Sequence, residues 1–321
     1  MPATSVTAPK KEIQAIDTLK YNSVPLSSFD LKNLPPLPVG VWHEGVRFTD
    51  YQINPEVDSY KFYEAMAGLE NQNVTDEKRF RNFAMALGGY SDKARTLEPM
   101  LLAIGGIPLK ELALAGSKSV TDFITSLPYK DIAIISLAMR LTVKGGEKGY
   151  VVERKCPQKG CPTPNDTLRL ACSIDDLSIN YPVELTGEPV FRVKLEKGFK
   201  YQGVAIDHLD LGLIKLFQAP LLAKSLGNGT APLTTQILLS LVDIPQLDAA
   251  FAELKKMNKV GELFKTLSMK DIDIIKKAIA LLDQWGCPMS FSPRCGCYQD
   301  EIIPVGFDWL THAGIYGIDA E

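Results

Sequence analysis

Histidine is scarce in this sequence, which has only three copies, His43, His208 and His312, in 321 residues. None of them accompanies a G-x-S-x-G nucleophile motif or forms an H-E-x-x-H metal motif. The glycine-rich stretch 145–149 lacks the residue order of a phosphate-binding loop, and a strand pattern follows it where a helix is required. We therefore expect no catalytic or cofactor-binding residues, and a protein that is not an enzyme.

Long apolar runs and an excess of one charge are also missing. The sequence has 35 Lys and Arg against 38 Asp and Glu, a formal charge of -3, which argues against nucleic-acid binding driven by a basic surface. Its apolar stretches are far shorter than the roughly 20 residues of a membrane-spanning helix. The first residues also lack the apolar centre of a secretory signal. We expect a cytoplasmic protein whose partner is neither nucleic acid nor membrane.

The first 36 residues differ in composition from the rest of the chain. Proline, serine, threonine and lysine are frequent there, and Leu34-Pro35-Pro36-Leu37-Pro38 favours extended, polyproline II-like backbone. We interpret residues 1–36 as a flexible N-terminal tail. The alternative interpretation is a strap that docks on a partner.

Apolar periodicity predicts most of the remaining chain as helix, with short strands between. The predicted helices include 132–143, 209–226, 233–241, 247–257 and 272–285. The segments YVVERK and TLRLACS favour strands, and residues 191–206 favour a hairpin with its turn near Lys197-Gly198. Asp131 and Asp271 each precede an apolar helical run, where an acid suits the helix N-terminus.

Two sequence patterns occur twice in the same order. The spacing L-x-x-G-x4-G-V-x-[FI] starts at Leu37 and again at Leu195, and residues 127–141 match residues 267–281 at eight positions. Each half then leads into a group of cysteines, which favours an internal duplication. The predicted fold is α+β and mostly helical, with two similar halves. Each half has a β-hairpin, a helical segment and a cysteine-bearing β-knuckle, in a first repeat over 37–187 and a second over 188–321.

The sequence has six cysteines, which in a reducing compartment are better read as thiols or metal ligands than as disulfides. Zinc in structural sites takes four ligands in a tetrahedron. We predict one structural zinc site that pools Cys156 and Cys161 with Cys295 and Cys297. Two alternatives remain open: three cysteines in each half with a further ligand, or buried thiols without metal. The roles of Cys172 and Cys287 are open in the same way.

The order of these features resembles a known family. An L-P-x-G hairpin at Leu37 comes first, then a helix with Asp131 and Arg140, a strand with Tyr150, and the knuckle from Cys156 to Cys161. Asp176-Leu177 and Cys295-Gly296 continue the pattern. In this order the chain resembles the baseplate hub assembly proteins, or tail-assembly chaperones, of T-even-type contractile-tailed phages and related injection systems. The knuckle departs from the family by having four residues between its cysteines where two are usual.

The resemblance implies a non-enzymatic assembly factor that binds a tail or baseplate hub component in the cytoplasm of the host or producing cell. Two other functions stay open: a structural baseplate subunit retained in the virion, and a metalloenzyme that uses the cysteine site. Nucleic-acid binding by the knuckle is disfavoured because no aromatic stacking residues stand beside its basic ones. The partner, the oligomeric state and the binding surface do not follow from the sequence.

Overall fold

The structure of the protein is a computed structural model, which describes part of the chain. The described residues are 13–30, 33–43, 45–56, 84–85, 87–88, 99–114, 117–142, 149–155, 167–173, 177–185, 187–218, 232–247, 249–257, 259–287, 290–291 and 303–304. All structural statements below refer to these residues.

Helices and strands occur in consecutive groups along the described chain. The helices are α1 Leu109–Leu114, α2 Ser117–Ser126, α3 Tyr129–Thr142, α4 Pro232–Ser240, α5 Ala249–Lys256, α6 Val260–Leu263 and α7 Met269–Asp283. The strands are β1 Ile13–Ala15, β2 Tyr21–Pro25, β3 Val41–His43, β4 Val46–Phe48, β5 Tyr51–Ile53, β6 Leu101–Ile104, β7 Ile107–Pro108, β8 Gly149–Lys155, β9 Thr167–Ser173, β10 Ser178–Pro182, β11 Val190–Tyr201, β12 Val204–Gly212, β13 Leu241–Asp243, β14 Ser290–Phe291 and β15 Ile303–Pro304.

The largest described sheet has the strand order β1-β11-β12-β13. Its edge strand β1 runs parallel to β11, whereas the other neighbours in the sheet are antiparallel. A three-stranded sheet has the order β5-β6-β7, and four antiparallel pairs join β2 with β10, β3 with β4, β8 with β9, and β14 with β15. Parts of the segment predicted as a tail or strap thus lie in β1 and β2, paired with strands far along the chain.

The prediction of a mostly helical chain made of two similar halves is wrong. Strands occur throughout the described residues, and the helix predicted over 209–226 begins as the last part of β12. The run Leu209-Asp210-Leu211 alternates apolar and polar residues, which suits a strand as well as one turn of a helix. The halves also build different sheets, because β11 and β12 lie in a four-stranded sheet while β3 and β4 form only a two-stranded one.

Buried apolar side chains form three clusters. The first core surrounds α2, α3 and β6, and the second core lies between α7 and the sheet of β11 and β12. A third, smaller core packs the other face of α3 against β10 and includes Leu26 and Cys287. Helix α3 therefore contributes to the first core and to the third.

The β11–β12 hairpin turns later than predicted. Its turn is at Gln202 and Gly203, both with positive φ, whereas Gly198 lies inside β11 with φ 64° at a register shift between Lys194 and Phe199. A Cβ on Gly198 would collide with the carbonyl oxygen of Ile206, while a Cβ on Gly203 would meet no atom within 4 Å. Gly198 therefore permits a close approach of two backbones as well as a left-handed conformation.

These two glycines give a matched pair of substitutions. Gly203→Ala is expected to lower the free energy of unfolding by about 1 kcal/mol, because only the positive φ is penalised. Gly198→Ala should cost at least about 2 kcal/mol, because the added methyl group also forces β12 away. Urea unfolding of both variants measures the difference, and equal losses would show that the close approach has no energetic weight.

Candidate functional site

A short segment outside the helices and strands, residues 36–40, connects the first core with the second, and we call it the clamped strap. Within it, Leu37 belongs to the first core and Val39 to the second, and both are almost fully buried. The backbone N–H of Leu37 donates to the carbonyl of Thr49 at 2.8 Å. The Tyr181 hydroxyl donates to the carbonyl of Pro36 at 3.1 Å. The strap is thus fixed by backbone groups as well as by its two apolar side chains.

Asp131 supplies the central contacts of the clamped strap. It lies in the first turn of α3, as the sequence predicted, and is 0% exposed. Its two carboxylate oxygens accept the backbone N–H groups of Val39 at 2.9 Å and Gly40 at 2.8 Å. Burial raises the pKa of Asp131 from 3.8 to about 7, although these two N–H groups and the charge of Arg47 act to lower it.

Arg47 holds the same segment through its carbonyl groups. From β4, its Nε donates to the carbonyl of Val39 at 2.8 Å and its Nη2 donates to the carbonyl of Pro38. Burial lowers the pKa of Arg47, and the neighbouring charge of Asp131 raises it. One acid and one base therefore bind the donors and the acceptors of the same stretch of backbone.

Lys130 connects α3 with the end of α7 beside the clamped strap. Its buried Nζ donates to the carbonyl of Asp283 at the end of α7, at 2.8 Å, and lies 5.2 Å from the ring centre of Tyr129. Close by, Asn180 and Gly286 exchange backbone hydrogen bonds of 2.8 and 3.0 Å. Lys130 thus stabilises the C-terminal end of α7, where a cation interacts favourably with the exposed carbonyls.

Asp271 makes a second clamp of a similar kind between α7 and β11. From the first turn of α7, it accepts the N–H groups of Glu196 at 2.8 Å and Lys197 at 3.1 Å, and the Ser268 hydroxyl at 2.7 Å. Ser268 is the N-cap of α7. Burial raises the pKa of Asp271, but the hydrogen bonds from Ser268 and from the β11 backbone outweigh it, and the net pKa is lowered.

One difference between the two clamps is the residue three positions before the aspartate. Three residues before Asp131 stands Pro128, where the corresponding residue before Asp271 is Ser268. Proline has no side-chain hydroxyl, so Asp131 lacks the third donor that Asp271 has. The carboxylate at the junction of the cores is consequently the less well stabilised of the two.

The four predicted zinc ligands lie outside the described residues, but the strands that bracket them are described. Cys156 and Cys161 stand between β8 and β9, where Lys155 is the register partner of Thr167. Cys295 and Cys297 stand between β14 and β15, where Phe291 is the register partner of Ile303. Both connecting segments, 156–166 and 292–302, have the same length. Each predicted pair thus belongs to the connection of an antiparallel strand pair.

The other two cysteines differ from each other. Cys172 lies in β9, opposite Tyr150. Cys287 is a fully buried free thiol in the third core, and burial raises its pKa to about 12 although Lys130 lowers it. A thiol that stays protonated in apolar surroundings is a poor metal ligand. Within the described part of the chain, no group of three or more His, Cys, Asp or Glu side chains has the arrangement of a metal site.

His208 is the histidine with described side-chain contacts. Its Nδ1 lies 2.6 Å from the carboxylate of Asp207 and 2.7 Å from the side-chain amide of Gln246. Asp207 is largely exposed, so this contact belongs to the outer surface of the hairpin. His43 lies in β3, and His312 falls outside the described residues.

Sequence reasoning placed both aspartates but did not reveal what they bind. An acid in the first turn of a helix is ordinarily explained by the helix dipole. No local sequence pattern shows that its carboxylate oxygens accept backbone N–H groups from a segment far away in the sequence. The one sequence feature that marks the segments bound by the two aspartates is the repeated spacing that starts at Leu37 and at Leu195. It places Gly40 and Gly198, both with positive φ, at the two segments that the aspartates bind.

None of the helices among the described residues combines the length and the apolar character needed to cross a membrane. Comparisons with protein-family models, with curated proteins and with solved structures find no match to this chain.

Proposed function

We propose that this chain is a non-enzymatic assembly factor, a chaperone that binds a baseplate hub or tail component of a contractile phage or related injection system. The order of sequence features that resembles the baseplate hub assembly proteins supports this assignment. The scarcity of histidine and the lack of a nucleophile motif point the same way.

The main structural support comes from the hydrogen bonds that the buried charged side chains make among the described residues. Asp131 and Asp271 accept backbone N–H groups, Lys130 donates to a backbone carbonyl, and Asp210 forms a two-bond pair with Arg192 at 2.8 and 2.9 Å. Each of these groups stabilises the contact between two elements of the chain itself. A catalytic acid or base needs an unobstructed approach to a substrate proton, so these four residues are better suited to fixing the shape of a binding protein.

A structural zinc ion belongs to the proposal, with Cys156, Cys161, Cys295 and Cys297 as its ligands. Four thiolates are a common ligand set of structural zinc, so the residue types fit the ion. When bound, zinc would supply folding free energy by joining the connections of two strand pairs. The four residues would hold the ion and leave no open position for chemistry.

The assembly role is tested by measuring the abundance of the chain in producing-cell lysate and in purified mature particles, using quantitative mass spectrometry. A chaperone is expected to be abundant in the lysate and absent from the particles. Presence in particles at a fixed ratio to other baseplate proteins would make it a structural subunit and overturn the proposed function.

Metal analysis tests the zinc site separately. The purified chain should contain about one zinc ion, and Cys156→Ser and Cys295→Ser should each abolish it, because loss of one of four ligands opens the site. Cys172→Ser is the matched control and should keep the zinc. Loss of metal in this control would show that the ligand set is different, and a wild-type chain purified without zinc would show that there is no such site.

A further inference from the structure

The N-terminal arm, which we define as residues 13–29, pairs with segments from the second half of the chain. Strand β1 runs beside β11, and β2 runs beside β10. The Tyr21 hydroxyl donates to the carbonyl of Leu281 at 2.5 Å, and the N–H of Leu26 donates to the carbonyl of Leu177 at 2.8 Å. The strand partners of the arm are therefore supplied by residues that lie far from it in the sequence.

The surface beneath the arm has the properties of a strand-binding site, and we call it the arm groove. It consists of the edges of β10 and β11 that pair with the arm, together with Leu177, Ile179 and Trp285. The first two of these side chains pack with Leu26 in the third core, and Trp285 contacts the ring of Tyr21. Departure of the arm would leave two strand edges unpaired beside apolar side chains, and such an edge is a template for another extended segment.

The arm covers this groove as a thin surface layer. Among the side chains of residues 15–30, only Leu26 is buried, whereas Tyr21 and Val24 are half-buried. The arm is therefore held mainly by strand pairing and by a few apolar contacts at its inner side. A second chain with the same sequence can supply all of these contacts.

An exposed turn connects the arm to the rest of the chain. Asp30 and Asn33 exchange backbone hydrogen bonds of 3.1 and 3.2 Å, and the Asp30 carboxylate accepts the N–H of Asn33 at 2.9 Å. Beyond this turn, the clamped strap is fixed by Asp131 and Arg47. Straightening of the turn would therefore carry the arm away from its own groove while the strap stays in place.

We propose that the arm groove binds the N-terminal arm of a second copy of this chain, so that two chains exchange their arms reciprocally. The structure identifies this occupant, because the arm already fits the groove in a defined register. The exchanged dimer keeps the strand pairs, the Tyr21 hydrogen bond and the packing of Leu26. Only the opened turns and the lost independence of two chains oppose it, so the exchanged fraction increases with chain concentration.

Ser23 and Asn180 provide a direct test, because they are register partners in β2 and β10. The backbone N–H and carbonyl of Asn180 bond to Gly286, so Ser23 and Asn180 form a non-hydrogen-bonded pair, whose short Cα–Cα distance suits a disulfide. Full chains that carry either Ser23→Cys or Asn180→Cys are mixed, incubated to constant composition and mildly oxidised. Peptide mapping then detects a disulfide between positions 23 and 180, which in this mixture can only join two chains.

The disulfide should form in the mixture, and its fraction should rise at least about threefold between about 10 µM and about 200 µM chain. The double variant Ser23→Cys, Asn180→Cys is the positive control and should form the link within one chain. A mixture of Ser23→Cys with Asp273→Cys, on the exposed side of α7, measures linkage by random collision. A 23–180 link that forms in the double variant but does not exceed this background in the mixture overturns the exchange. Absence of the link in the double variant contradicts the pairing of β2 with β10 and overturns it as well.

A shorter turn supplies the second test. Deletion of Leu31 and Lys32 joins Asp30 directly to Asn33, which removes the reversal that returns the arm to its own groove. Light scattering of the full-length variant should show a dimer-to-monomer ratio at least about tenfold above that of the wild-type chain. Lys32→Ala keeps the length of the turn and should leave the ratio unchanged. A folded, monomeric deletion variant overturns the proposal, and the disulfide test decides even if this variant does not fold.

Discussion

Trp285→Ala should lower the free energy of unfolding by about 3 to 5 kcal/mol, the usual cost of removing a large aromatic side chain from a core. Trp285 follows α7 and is 0% exposed in the second core. Its ring makes edge contacts with Tyr21 and Phe191, with ring centres 6.1 and 5.7 Å away. These contacts join the N-terminal segment to the main sheet, so the cavity would lie where neither side can relax independently.

Urea unfolding at constant pH measures this loss, and Trp285→Phe is the matched control. The indole Nε1 is buried without a hydrogen-bond partner among the described residues, so phenylalanine removes an unsatisfied donor while keeping most of the ring contacts. We expect Trp285→Phe to cost less than half as much as Trp285→Ala. Equal losses in the two variants would mean that the indole N–H has a partner that stabilises the fold.

Asp271→Ala is expected to cost about 3 kcal/mol, because three partly buried donors lose their acceptor at once. These donors are the hydroxyl of Ser268 and the backbone N–H groups of Glu196 and Lys197. Asp271→Asn keeps one oxygen acceptor and should cost about half as much. Thermal and urea unfolding of the two variants measure the losses.

Asp273→Ala, two residues further along α7, is the control for this substitution. Its carboxylate is 61% exposed and lies 3.9 Å from Lys276, so its removal should change stability by less than about 0.5 kcal/mol. Comparable losses at positions 271 and 273 would contradict the clamp.

The stabilisation by Asp271 also has a defined pH dependence. Its folded-state pKa lies below the ordinary 3.8, so the stabilisation is present above that value and is lost as pH falls through the folded-state pKa. The difference in stability between the wild-type chain and Asp271→Asn should therefore be constant near neutral pH and shrink below about pH 4. A difference that grows with acidity would contradict the lowered pKa.

Local sequence signals predicted the helices and strands that local chemistry determines. The apolar runs beginning after Asp131 and Asp271 are helices, and the segments YVVERK and TLRLACS lie in β8 and β9. Periodicity and an acid in the first turn are enough to predict such elements, because the interactions that form them lie within a few residues.

The position of the β11–β12 turn could not be predicted in the same way. Gly198 and Gly203 both adopt positive φ, and a glycine pattern does not distinguish a turn from an irregularity inside a strand. The choice depends on the register with β12, which is a property of the paired strands. The error over residues 209–212 has a similar origin, because strand pairing overrides a short pattern that is also compatible with a helix.

The contacts of the candidate site are even less visible in sequence. Asp131 binds N–H groups 91 and 92 residues away, and such a pairing leaves no local signature in either segment. Pro128 stands where Ser268 donates a hydrogen bond to Asp271, and the missing donor at Asp131 is recognised only when the contacts of the two clamps are compared. The predicted zinc ligands remain a prediction, because they lie outside the described residues.

The pairing of β1 and β2 has a consequence for biosynthesis. These first strands find their partners in β11 and β10, and the Tyr21 hydroxyl bonds to the carbonyl of Leu281, 260 positions later. A ribosome therefore has to synthesise the chain as far as β10 and β11 before the N-terminal strands can pair. At roughly 5 to 20 residues per second, those strands stay unpaired for tens of seconds. A pause or truncation before β10 and β11 are synthesised would therefore leave β1 and β2 without their partners and exposed to aggregation.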